Sequence, residues 1–218
     1  RRLPLALPSK SVEVESPVYR LTPREGDVTY DSDYLAGLRV VYIQDVEENI
    51  EVVEGDPFGT PGQDPDELRV WMEQSFADEM AMAVGERYAL GGLYSSAAEG
   101  IPVQIAGVYQ VRDLEGKPRN RSLEGRYAQD LLTDAEQFRK HVSSRIDEGA
   151  ASVSWYFVFD DRRINLTRAE QYIAGLQAVD REAQRALPSG QMGIAPLEEL
   201  LRGHRRKTSL SLVLFGFA

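Results

Sequence analysis

The chain has 218 residues, a formal net charge of −10 and no cysteine, with 42% hydrophobic and 28% charged residues. That balance belongs to a globular protein able to bury a core. The negative charge argues against nucleic acid, which needs clustered cations, and the absence of cysteine removes disulfides, zinc–thiolate sites and cysteine nucleophiles together.

In chain order, Lys10 to Leu21 predicts an extended segment, with Val12 and Val14 alternating with Glu13 and Glu15. Leu38 to Ile43 predicts a strand. The run from Asp45 to Asp56 carries Glu47, Glu48, Glu51 and Glu54 as well, but not at the spacing of a calcium loop, so a solvated acidic face is expected. Gly55 to Gly62 is a breaker-rich loop. It holds Asp56, Pro57 and Pro61 and no lysine, which predicts a structural turn and not an anion cradle. Leu68 to Met72 reads as extended, Ser75 to Met82 as helical and Ile101 to Val111 as a strand. Arg112 to Ser122, with Gly116, Pro118 and Asn120, reads as an exposed loop.

In the C-terminal half, Thr133 and Glu136 form a capping box ahead of Phe138, Val142 and Ile146 at helical spacing. Val153 to Phe159 is aromatic and β-branched, which predicts a strand buried on both faces, with Trp155 packed between two helices. Thr167 and Glu170 make a second capping box. The stripe Tyr172, Ile173, Leu176, Val179, Ala183 and Leu187 follows, and Pro188 and Gly190 stop that helix. A short strand at Met192 to Ile194 and a helix from Pro196 complete an α+β pattern of helices layered on a sheet.

Chemistry-bearing motifs are scarce. The sequence has no P-loop, no Gly-x-Gly-x-x-Gly and no Gly-x-Ser-x-Gly. Its two histidines, His141 and His204, are not at ligand spacing from one another, so neither a zinc site nor a serine triad is expected. Asp160 and Asp161 end the aromatic strand, where active sites of α/β folds often lie, though a solvent-facing pair is the simpler reading. Trp71 and Trp155 fall in strand-like runs, which predicts core packing and not ligand stacking.

The two ends carry a further expectation. Arg1-Arg2 opens the chain without a methionine or a signal peptide, as an internal fragment would. Ser209 to Ala218 is uncharged, and as a helix it would span about 15 Å, half of the roughly 30 Å hydrocarbon layer. Arg202, His204, Arg205, Arg206 and Lys207 precede it as a cationic collar, which predicts a membrane junction; a buried C-terminal strand is the alternative.

Several stretches together carry a family resemblance. They are Ser154-Trp-Tyr-Phe-Val-Phe-Asp160, the helix with Ala174-Gly-Leu176, Leu187-Pro188, Pro196-Leu-Glu-Glu-Leu200 and the basic patch running into Leu212-Val-Leu-Phe-Gly-Phe217. They resemble the end of the extracytoplasmic domain of FtsX/MacB-like ABC transporter permeases, and Gly85 to Leu90 with Ile101 to Val108 resembles that family's inserted β-rich part. The resemblance covers about half of the chain. It implies a MacB-like periplasmic domain: an α/β porter-like subdomain from residues 1–65 and 127–207, an inserted β-rich, sabre-like subdomain from 66–126, and the start of a transmembrane helix at 208–218.

The same resemblance implies a non-catalytic domain with no cofactor, metal or catalytic residue, which couples the motion of membrane helices to substrate or partner handling outside the cell membrane. ATP hydrolysis would belong to a separate cytoplasmic ATPase subunit. A second permease copy or a paralogous domain, and the membrane itself, would be the other partners. Taken alone, the basic collar places the domain in the cytoplasm, because cytoplasmic flanks are enriched in Lys and Arg; the outside placement is nevertheless expected, because that rule is statistical and the first helix, which this sequence does not include, usually dominates topology. Two other functions stay open: a carboxylate-based hydrolase using Asp160 and Asp161, and a ligand-binding sensor domain of a membrane receptor.

Overall fold

Two largely buried strands, β6 (Leu68–Glu73) and β8 (Ile101–Val111), form the middle of the sheet. Such strands need cover on both faces. They pair in parallel, from Leu68 opposite Val103 to Glu73 opposite Tyr109. Successive side chains point to opposite faces, so Leu68, Val70 and Met72 enter one hydrophobic cluster and Trp71 enters another. The computed structural model describes residues 9–23, 35–92, 100–112, 122–146, 150–158, 168–188 and Gly203.

Among the described residues, ten strands join one mixed sheet. Its order is β10 (Ser152–Val158), β1 (Ser9–Glu15), β4 (Val40–Ile43), β9 (Leu131–Thr133), β6, β8, β7 (Arg87–Gly91), β2 (Tyr19–Pro23) and β3 (Ala36–Leu38). A further strand, β5 (Ile50–Gly55), also pairs with β8. The β4–β9 and β6–β8 pairs are parallel; β1–β4, β9–β6, β7–β8, β2–β7, β2–β3 and β5–β8 are antiparallel. With its few helices, the protein is of the α+β class.

The long strand β8 serves two neighbours along one edge. β7 pairs with Ile101 to Gln104, and β5 pairs with Gly107 to Val111. Between them lies a bulge: Val70 faces Ile105 but Trp71 faces Gly107, so Ala106 is the extra residue. Gly107 is required there, because a Cβ would lie 2.7 Å from Cδ1 of Trp71 and 2.9 Å from the Glu54 carbonyl. Gly55 closes the same corner at φ +89°, a conformation that side chains disfavour. The Asp56 amide then donates to the Ala106 carbonyl at 2.9 Å, and the Trp71 indole donates to the Asp56 carbonyl at 2.9 Å. Buried Arg69 holds the rest of the loop through the Thr60 carbonyl at 2.8 Å, the Pro61 carbonyl at 3.1 Å and an ion pair with Asp56. The breaker-rich loop is therefore a structural turn, as its composition predicts.

Short helices share the core with the sheet. Phe76 and Ala77 of α1 (Gln74–Met80) lie in the cluster of Leu68, Val70 and Met72. Phe138 and Val142 join the same cluster from the segment that starts as α2 (Ala135–Gln137) and continues as a π turn over Phe138–Val142. On the other face, Trp71, Val41, Ile43, Tyr109 and Leu132 meet Leu123 and Tyr127. Each fully buried Leu, Val or Ile contributes about 1.5–3 kcal/mol, so this two-faced core is the main source of stability.

Several expectations are corrected. The helix after β9 is capped by Asp134, whose Oδ1 accepts from the Glu136 and Gln137 amides at 2.8 and 3.0 Å. Thr133 instead ends β9 and donates its hydroxyl to the Arg69 carbonyl at 2.8 Å. The single strand expected over Leu38 to Ile43 is two, divided at Arg39, because the Arg39 amide donates to the Asp130 carboxylate and not to a neighbouring strand. The acidic run is solvated as expected, with Asp45, Glu47, Glu48, Glu51, Glu54 and Asp56 all exposed, but its stretch Ile50–Gly55 forms β5, and the apolar Val46 and Ile50 within it are buried. β10 forms where expected but is not a core strand: Val153, Trp155 and Tyr156 are 41%, 51% and 39% exposed. It ends the sheet, with β1 as its neighbour among the described residues.

Contacts divide the chain into residues 11–156 and a second unit of residues 1–10 with 157–218. In the second unit, α3 (Ala169–Ala186) has Arg168 at its N-cap position without a side-chain cap, and Thr167 lies outside the described residues. The predicted stripe is buried at Tyr172 and Leu176 and exposed at Val179 and Leu187. The helix ends just before Pro188, as expected.

Candidate functional site

An ionic cluster sits on the Trp71 face of the first unit. β1 points Glu13 and Glu15 to one side, opposite Ile43 and Val41 of β4, and both carboxylates are buried. Glu13 accepts a hydrogen bond from the Tyr127 hydroxyl at 2.9 Å. Glu15 is paired with Arg126 and lies 3.8 Å from Nε of Arg39. Arg39 in turn meets Asp130 twice: its amide donates to Oδ1 at 2.8 Å, and Nη1 lies 3.4 Å from Oδ2. The Arg126 guanidinium lies 5.3 Å from the centre of the Tyr127 ring, a cation–π contact, and also interacts electrostatically with Tyr156 of β10.

The electrostatics follow from that crowding. Burial raises the Asp130 carboxyl above its ordinary range; Arg39 opposes the shift and the Glu15 charge adds to it. Burial and the adjacent Glu13 push the Tyr127 phenol upward, so it stays protonated and can only donate to the carboxylate. Three carboxylates, Glu13, Glu15 and Asp130, share the two guanidiniums of Arg39 and Arg126, so the cluster is compensated only in part. Chemically the arrangement is a clasp, fastening β1 and β10 to the 122–130 segment and to the start of β4. No activated nucleophile stands in it.

An open cleft of about 500 Å³ lies at the C-terminal ends of β6 and β8, lined by Glu73, Gln74, Ser75, Asp78, Gln110, Val111, Leu123 and Ala128. Several of its polar groups are engaged locally. Glu73 accepts from the Ser75 and Phe76 amides at 2.7 and 3.3 Å as the cap of α1, and the Gln74 and Gln110 side chains are hydrogen-bonded.

The predicted junction residues Arg202, His204, Arg205, Arg206 and Lys207 lie outside the described residues, as do Asp160, Asp161, the loop from 113 to 121, the strand expected at Met192 to Ile194 and the tail from 204 to 218. His141 is buried, its Nε2 has no hydrogen-bond partner, and burial with the nearby Lys140 and Arg145 lowers its pKa against the opposing Asp66 and Asp134. Among the described residues, no group of three or more His, Asp or Glu side chains could hold a metal ion. Trp71 packs in the core, whereas Trp155 stands exposed. Sequence reasoning missed the clasp, because Glu13 and Glu15 alternate with valines as the wet side of an amphipathic strand does. The one available signal was that both sides of β1 needed cover.

No protein-family model matches the chain, and neither does any curated protein. Among solved structures, the chain is similar to a crystal structure of a domain of a candidate permease protein from Porphyromonas gingivalis. The two are 10% identical, the match covers 91% of this chain and 84% of that one, and the TM-score is 0.40. At that score the similarity assigns neither a family nor a function. No helix among the described residues is long and apolar enough to cross a membrane.

Proposed function

We propose that this chain is a non-catalytic, extracytoplasmic domain of an FtsX/MacB-like ABC transporter permease, which couples the motion of membrane helices to substrate or partner handling outside the membrane. The observation that carries the reading is where the chain enters and leaves the described sheet. It does so on neighbouring strands, β1 and β10, which the clasp of Glu13, Glu15, Arg126, Tyr127 and Tyr156 ties together. Adjacent strands lie about 4.8 Å apart. A domain hung between two membrane helices needs its two connections side by side and mechanically joined. The cationic collar from Arg202 to Lys207 and the apolar run beyond it support a membrane junction on the C-terminal side. ATP binding then belongs to a separate cytoplasmic subunit.

Sidedness is testable without labelling background from this domain, because the chain has no cysteine. A single cysteine replacing exposed Glu79 of α1, placed in the full-length protein, is expected to react with a membrane-impermeant maleimide on intact spheroplasts. Labelling seen only after lysis overturns the extracytoplasmic placement.

A further inference from the structure

The cleft at the C-terminal ends of β6 and β8 holds acceptors that the fold leaves open. Only Oε2 of Glu73 takes part in the cap of α1, accepting from the Ser75 and Phe76 amides; its Oε1 has no hydrogen-bond partner among the described residues. Gln110 donates from Nε2 to Gln74, so its own side-chain carbonyl stays open. The Asp78 carboxylate, exposed on α1, has no partner among the described residues. Beside Glu73 stands Tyr109: the two are opposite one another in the β6–β8 ladder, so their side chains share a face. Tyr109 is only 1% exposed and belongs to the same hydrophobic cluster as Leu123 of the cleft, yet its hydroxyl has no hydrogen-bond partner among the described residues. Burial pushes its phenol upward and the Glu73 charge adds to the shift, so the hydroxyl keeps its proton. Val111, Leu123 and Ala128 supply the apolar part of the lining.

We propose that this cleft binds an arginine or lysine side chain presented by a basic peptide, with the cationic head at Glu73, Asp78 and the Gln110 carbonyl and the aliphatic stem along Val111 and Leu123. The proposal deepens the permease reading by naming a class of substrate or partner, and rests on that reading only for the role of the bound peptide. The chemistry of the lining selects the ligand. Two carboxylates on a chain of net charge −10 repel an anion, and the α1 amides that could attract one are already taken by Glu73. A metal ion needs more ligands than these two carboxylates, and no larger His, Asp or Glu group stands among the described residues. A neutral apolar ligand would cover Glu73 Oε1 and leave it unsatisfied, which is costly. The remaining match is a cation rich in N–H donors on a hydrocarbon stem. Arginine and lysine heads donate and do not accept, and their stems lie along apolar surface while the head stays among polar groups. The volume of about 500 Å³ is that of a small-ligand pocket and accommodates one such side chain.

The test titrates the whole 218-residue chain with a blocked Gly-Arg-Gly tripeptide at physiological ionic strength, followed by amide NMR shifts. Saturable shifts are expected at the C-terminal ends of β6 and β8 and along α1. The same peptide with citrulline in place of arginine keeps the shape and loses the charge, and is expected to bind at least about tenfold more weakly. Glu73→Gln is expected to weaken the arginine peptide by about tenfold. Asp78→Asn, at an exposed carboxylate, is expected to weaken it by about threefold. Glu79→Gln, exposed on the same helix but not lining the cleft, removes the same charge and is expected to change nothing. Glu73→Gln also touches the cap of α1, so Asp78→Asn, which leaves that cap intact, keeps the test decisive. The absence of saturable binding overturns the proposal. So does equal binding of the citrulline peptide, or an Asp78→Asn effect no larger than that of Glu79→Gln, which would mean diffuse attraction to an anionic surface. These readouts need no membrane or ATPase and separate from the sidedness experiment. A chain labelled on intact spheroplasts that ignores the arginine peptide removes the cleft assignment alone, and a chain that binds the peptide but is labelled only after lysis removes the extracytoplasmic placement alone.

Discussion

Glu15 stands between two arginines, 3.8 Å from Nε of Arg39 and paired with Arg126. Removing it leaves both cations with one carboxylate fewer. Breaking a fully buried pair costs about 3–5 kcal/mol, but the arginine side chains here are 39% and 47% exposed, so water screens part of the loss. Glu15→Ala is expected to cost about 1–3 kcal/mol in urea denaturation. A cost near zero would show that the clasp contributes nothing to stability.

His141 gives a pH signature at the same scale. Its folded pKa lies below the ordinary 6.5, because of burial first and then Lys140 and Arg145. The unfolded chain therefore binds the proton more readily than the folded protein. Stability is unaffected above the ordinary value and falls as pH drops through it, since the unfolded state takes up protons there that the folded state refuses. His141→Gln is expected to flatten the decline of stability just below pH 6.5. An unchanged slope would mean that other groups set it. Asp130 acts in the opposite sense at lower pH: its raised pKa makes ionisation costly to the fold as pH climbs through the carboxylate range.

At the scale of elements, the bend in β8 depends on one missing side chain. Gly107→Ala would bring a Cβ to 2.7 Å from the Trp71 ring, which is buried and pinned through its indole nitrogen to Asp56. Overpacking of this kind costs about 1–3 kcal/mol. Gly125→Ala, with nothing within 4 Å, is the control and is expected to cost far less. A small effect at Gly107 would mean that the strand can flatten its bulge. How far these elements were legible depends on where their determinants lie. The limits of β8 matched the expectation over Ile101 to Val111, and β6 and α1 came within a few residues, because periodicity and flanking breakers are local signals. β10 was placed correctly along the chain but wrongly in depth. An aromatic, β-branched run looks the same at the centre of a sheet and at its edge, and only pairing with distant β1 distinguishes them. The break at Arg39 was hidden for the same reason, since its cause is Asp130, distant in sequence. The clasp joins Glu13 to Tyr127 and Glu15 to Arg126, partners more than a hundred residues apart, and no spacing rule reaches that far.

For the whole molecule, the strongest expectation concerns the uncharged run Ser209 to Ala218. If it begins a membrane helix, it contributes nothing to the folded core, and as an exposed apolar segment in water it promotes association. Deleting residues 209–218 is then expected to leave the thermal midpoint nearly unchanged and to reduce aggregation. If it is instead a strand buried in the protein, the deletion removes several large apolar side chains at about 1.5–3 kcal/mol each and lowers the midpoint by many degrees. The two-faced core offers an internal standard for that comparison. Leu68→Ala, at a fully buried site, is expected to lose about 2–5 kcal/mol in the same assay. A tail deletion that costs as much as Leu68→Ala would place the run in the core and sink the membrane junction. A deletion that costs almost nothing would instead leave the run outside the folded core, as a membrane junction requires.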